Sequence, residues 1–134
     1  MVQTAKMRAM PIVLIGSDFW TPLHDWLRKR NASPIVIADW GILETLNLMS
    51  QGELPVVDAS ASLYPQPRPQ SVIPLLRRPG AIWVTHSAGR EQWPGVNAAL
   101  DVIAAEAGAS KTLLHTVHDR NGRAIFDIFA FPRD

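Results

Sequence analysis

Three aspartates in this chain each close an apolar run. Asp18 follows Pro11-Ile-Val-Leu-Ile-Gly16-Ser17, Asp39 follows Ile35-Val-Ile-Ala38, and Asp58 follows Val56-Val57. If those runs are parallel neighbours in one sheet, the carboxylates line one edge, where such groups hold ribose hydroxyls or Mg²⁺. The competing use is to cap the element that follows, because an aspartate oxygen accepts from the free N–H groups of a first helical turn. One residue can do both. Trp40, directly after Asp39, and Trp93 lie in turns. There an indole stacks on a base, covers a pocket, or packs against the core or another copy of the chain.

A second candidate is Thr85-His86-Ser87-Ala88-Gly89, at a strand-to-loop junction. The pattern is similar to a Gly-x-Ser-x-Gly nucleophile elbow, whose strained turn needs small residues around the serine. Thr85 crowds the first glycine position, and Pro94-Gly95 delays the helix that should start at once. The segment therefore reads as a polar loop at a strand end, with His86 and Ser87 as ligand contacts and no residue assigned a catalytic role. His115 and His118 are three apart. On a strand that spacing sends them to opposite faces, one buried and one solvated, and without a carboxylate partner they form no metal site.

These residues need elements to position them. Continuous apolar runs predict strands at 12–15, 34–38 and 81–85, with a short one at 56–57. Helices are expected at 20–29 (N-capped by Asp18 or Thr21), 42–49 (ending near Gly52), 72–76 and 96–107, the last with Gly108 as its C-cap. Strands at 111–118 and 124–131 flank Asp119-Arg-Asn-Gly122, and Asn-Gly is the strongest short hairpin signal. Pro65, Pro67 and Pro69 make 59–70 a Pro-rich loop. Residues 1–9 read as a disordered leader and 10–134 as a single domain. The expected class is α/β: a three-layer, Rossmann-like, mostly parallel sheet closed by an antiparallel C-terminal hairpin.

Bulk composition narrows the function. A net charge of +1 over 134 residues gives no electrostatic case for nucleic acid or a membrane surface. With no cysteine, thiolate catalysis, disulfides and Cys-based zinc sites are excluded. No run approaches a membrane span, and the expected compartment is the cytoplasm.

Residues 11–28, Pro-Ile-Val-Leu-Ile-Gly-Ser-Asp-Phe-Trp followed by Leu23-His-Asp25-Trp26-Leu, resemble a segment of the LOG family of lysine-decarboxylase-like cytokinin phosphoribohydrolases. Gly41-Ile-Leu-Glu-Thr-Leu46 is a weaker echo of that family's Gly-Thr-x-x-Glu helix, with Ile42 at the threonine and Thr45 at the glutamate. The resemblance implies a nucleotide-type binding or assembly domain without the family's catalytic motif, acting as a homo-oligomer or with a partner chain. Residues 75–132, from Leu76-Arg-Arg-Pro-Gly80 through a strand, a helix and two strands, resemble the C-terminal part of class I S-adenosylmethionine-dependent methyltransferases. That resemblance implies a reduced methyltransferase-like protein binding S-adenosylmethionine. A protein–protein interaction module using the Pro-rich loop and exposed tryptophans is the third reading. The expected ligand contacts are Gly16, Ser17, Asp18, Asp39, Trp40, Asp58, His86 and Ser87, with a nucleotide or S-adenosylmethionine as ligand and the cofactor undetermined.

Overall fold

The computed structural model describes residues 18–31 and 34–132. The expected leader 1–9, the strand at 12–15, Gly16 and Ser17 lie outside the described residues. In chain order the elements are α1 (Trp20–Arg30), β1 (Ile35–Ile37), α2 (Leu43–Ser50), β2 (Val56–Asp58), a 3₁₀ turn (Ser60–Ser62), α3 (Pro69–Leu76), β3 (Ile82–His86), α4 (Val96–Glu106), β4 (Thr112–His118) and β5 (Ala124–Ala130). The five strands form one sheet in the order β2-β1-β3-β5-β4. β1 is parallel to β2 and β3, while β5 runs antiparallel to β3 and β4. The chain is therefore α/β, with a mixed sheet that ends in the antiparallel hairpin its Asn-Gly turn predicts.

The apolar runs are continuous because both sheet faces are covered. Register lines up Val36, Trp83 and Phe129 as one row across β1, β3 and β5. All three are fully buried against Val72 and Leu76 of α3 and Val96, Leu100 and Ile103 of α4. The next residues along each strand turn the other way. Ile37, Val84 and Ile128 form the opposing row, packed with Leu23 and Leu27 of α1 and Leu46 of α2. Every residue of β1 and β3 is buried.

Four local expectations need correction. α3 starts at Pro69 rather than at residue 72, so Pro69 and Gln70 leave the loop at 59–70. Pro69 sits in the first helical turn, where its missing N–H would have no intrahelical partner and its fixed φ suits the helix. α1 has Phe19 as its N-cap with no side-chain cap bond, so neither Asp18 nor Thr21 caps it. α2 ends on a left-handed Gln51 (φ 55°), one residue before Gly52. His115 and His118 are both exposed, rather than one buried, because both stand on β4, the edge strand of the sheet. Among the described residues, no helix is long and apolar enough to cross a membrane.

Trp83 is the centre of the buried row, so Trp83→Ala should destabilise the fold by about 3–5 kcal/mol in urea unfolding followed by circular dichroism. Leu48→Ala, at a half-exposed position on α2, should stay within about 0.5 kcal/mol of wild type. Equal effects at the two positions would contradict the packing described.

Candidate functional site

The chain leaves β1 through α2 to β2 on one side, then returns through α3 to β3 on the other side of β1. Connections diverge between β1 and β3, and the carboxyl ends of two such strands frame the crevice where open α/β sheets take ligands. Asp39 lies two residues beyond β1, and His86 is the last residue of β3.

The Asp39 side chain is fully buried, with its Oδ2 2.7 Å from Nδ1 of His86. Oδ2 also accepts from the backbone N–H of Gln92 at 2.8 Å. Oδ1 accepts from the N–H groups of Trp40 (2.8 Å) and Trp93 (3.0 Å). Burial alone would raise the Asp39 pKa. The hydrogen bonds from His86, Gln92, Trp93 and Trp40 outweigh it and hold the carboxyl below its ordinary range. An ionised carboxylate only accepts, so Nδ1 carries the hydrogen, and in the neutral ring the lone pair is on Nε2. The imidazole is flanked by the Phe126 ring at 5.2 Å. Asn97 of α4 fixes the strand end: its Nδ2 donates to the His86 carbonyl at 3.1 Å, and its Oδ1 accepts from Thr85 Oγ1 at 2.6 Å.

His86 forms part of the lining of a crevice of about 400 Å³. Phe19, Trp20 and Trp40 supply its aromatic wall, and Arg90, Asp119 and Arg123 also line it. Arg123 is steadied by Asp119, Nε to Oδ2 at 2.7 Å. Hydrogen bonds, led by the backbone N–H of Arg123, keep Asp119 below its usual pKa. Trp40 is half exposed and stacks against Trp93 (6.5 Å between centroids), which stacks in turn on Tyr64 (5.1 Å). A larger hollow of about 670 Å³ opens at the opposite sheet edge, near Arg30, Arg78 and Phe131. No carboxylate or histidine lines it. A third hollow of about 450 Å³ is lined by His24, Arg28 and Glu53, but there the His24 Nδ1 meets only the exposed Asp25, at 3.3 Å.

Of the residues singled out by sequence, the structure brings Asp39, Trp40 and His86 together. Asp58 borders a narrow cleft of about 30 Å³ beside Asp39 and Trp40, but its Oδ1 accepts from both the N–H and the Oγ of Ser60. Asp58 is thus committed to Ser60 at the entry of the 3₁₀ turn, whose N-cap is Ala59. Asp18 stands at the start of α1 with Oδ2 4.0 Å from Nε of Arg120. Ser87 is turned away from the crevice, its Oγ donating to Asp127 Oδ1 at 2.9 Å. Gly16 and Ser17 are outside the described residues. Sequence reasoning missed Arg90, Arg123, Trp20 and Asn97. Only the Asn-Gly hairpin held a hint, since Arg123 directly follows it. Among the described residues, no three His, Cys, Asp or Glu side chains converge to hold a metal ion. In comparisons with protein-family models, curated proteins and solved structures, the chain matches none.

A depressed carboxyl pKa contributes stability above the unfolded value, here 3.8, and loses it as pH falls through the lower folded value. Asp39→Ala strands three backbone N–H groups and should cost about 3 kcal/mol at pH 7. The difference between wild type and variant should narrow below pH 3.8. Urea unfolding at pH 7 and pH 3 checks both, and a gap that widens at low pH would reverse the sign of this argument.

Proposed function

We propose that the chain is a three-layer, Rossmann-like domain of nucleotide-binding type, and that its crevice takes a small ligand with a planar ring and a phosphate-like anion. The observation that carries this reading is the buried Asp39–His86 pair at the divergence point of β1 and β3, at the crevice walled by Trp20 and Trp40. Trp40 supports the ring. One side of its indole is backed by the Trp93–Tyr64 stack, so little freedom is lost when a ring lies on the other. Arg90 and Arg123 support the anion, since guanidinium groups pair with phosphate oxygens through parallel N–H bonds. The LOG-like segment at 11–28 leads straight into Phe19 and Trp20 of this wall and is consistent with a nucleotide-type ligand. The Thr45 substitution in the second echo leaves that family's own chemistry unsupplied.

Tryptophan fluorescence is the direct test, because two of the five tryptophans line the crevice. Titration with AMP should quench emission saturably. Trp40→Ala should weaken binding at least about fivefold, as stacking is worth about 1–3 kcal/mol per base. Saturable quenching by S-adenosylmethionine alone would move the assignment to the methyltransferase-like reading. No response to either, with dimerisation on a sizing column, would favour an interaction module.

A further inference from the structure

We propose that Asp39 and His86 form a proton-transfer dyad and that the crevice hydrolyses phosphodiesters. This rests on the ligand reading above and adds a reaction to it. Four histidines are present, and only His86 is built for the task. His115 and His118 are exposed, and His115 lies flat against Trp26 at 5.4 Å. His24 is buried, but Nδ1 meets only the exposed Asp25 at 3.3 Å. His86 alone has one ring nitrogen on a fully buried carboxylate while the ring lines a cavity.

Structural need does not explain the pair. Asp39 already receives three backbone N–H groups, enough to satisfy a buried carboxylate without the imidazole. What the histidine adds is a fixed tautomer, Nδ1–H on Asp39 and a lone pair on Nε2, at a cavity that Arg90 and Arg123 also line. Ser87 is not the nucleophile, because its hydroxyl hydrogen is committed to Asp127. Water is then the nucleophile. A phosphodiester fits because its single negative charge admits attack by water activated with a neutral base, and Arg90 and Arg123 can neutralise its non-bridging oxygens.

The step balances with water alone. The water oxygen forms a bond to phosphorus as its proton passes to Nε2. The P–O bond to the leaving group breaks, and the electron pair departs on that oxygen. An aryl oxide leaves as the anion, and the imidazolium returns its proton to solvent. His86 is the catalytic residue, and Asp39 is a positioning residue that touches only the imidazole and backbone.

The test uses bis(p-nitrophenyl) phosphate with the full chain, reading p-nitrophenolate release beside AMP quenching. Wild type should turn over saturably. His86→Ala should lower kcat at least about 100-fold, leave the AMP midpoint within about threefold, and regain activity with added imidazole. Asp39→Asn should lower kcat with KM little changed, and Ser87→Ala should match wild type. If circular dichroism shows His86→Ala unfolded, His86→Gln replaces it with the same expectation. AMP binding with no release above the His86 variant would overturn the dyad and leave the ligand reading standing. His86-dependent release without AMP quenching would overturn the nucleotide platform and leave the dyad. Loss of both in wild type would overturn both.

Discussion

A carboxylate without access to water must be compensated by hydrogen-bond donors or a counter-charge, or lose its charge. Asp39 finds four, and they divide between its oxygens: Oδ1 takes the N–H groups of Trp40 and Trp93, while Oδ2 takes Gln92 and the His86 ring. Each oxygen thereby fixes a different part of the site. Oδ1 holds two indole-bearing residues within one hydrogen bond of a single atom, so the Trp40–Trp93 stack follows from it. Oδ2 ties the loop after β3 to the imidazole. The crevice is therefore not an accident of loops meeting at a sheet edge. Asp39 is the one described group bonded at once to the turn after β1, the loop after β3 and the imidazole.

Strand geometry explains why neighbours in sequence have unrelated roles. Along β3, Trp83 and Thr85 face α4, whereas Val84 and His86 face the side of α1. Ser87 continues the Thr85 side, which is why its hydroxyl reaches Asp127, a residue that also accepts from Thr116. Asp127 thus anchors a second polar patch, bonded to β4 and to the end of β3. Histidine and serine, adjacent in the chain, cannot converge on one substrate atom while the backbone stays extended.

The core elements were legible because their signals are local. Ile35 to Ile37 and Ile82 to Val84 are apolar without alternation, which only a doubly covered strand tolerates, and the 3.6-residue period from Val96 to Ala104 marks α4. The hairpin was legible from Asn121-Gly122, where Gly122 takes φ +81°. Helix edges were less so. Pro69 reads as a breaker until one knows that it opens α3, and no local signal distinguishes the two. The site was half legible. Asp39 and His86 were each marked by standing at the end of an apolar run, but their pairing spans 47 residues. The arginines of the crevice carried no signal, because an exposed arginine looks the same wherever the fold takes it.

The antiparallel edge has a consequence for the chemistry of the crevice. In a sheet extended by parallel units, a ligand anion at the strand ends meets the N-terminus of the next helix, with its unpaired N–H groups. Here the position beside β3 belongs to β5, which enters from a hairpin turn at that same edge. Asp119 and Arg123 of that turn reach the crevice in place of a helix end. α2, the helix that leaves β1, begins without a side-chain cap, after Trp40 and Gly41 have already turned the chain. Arg90, and Arg123 paired with Asp119, thus stand where a helix end would present fixed backbone dipoles. A crevice so furnished has one half built of Asp39 with His86 and the stacked indoles, and another lined by Arg90 and by Arg123, which Asp119 holds.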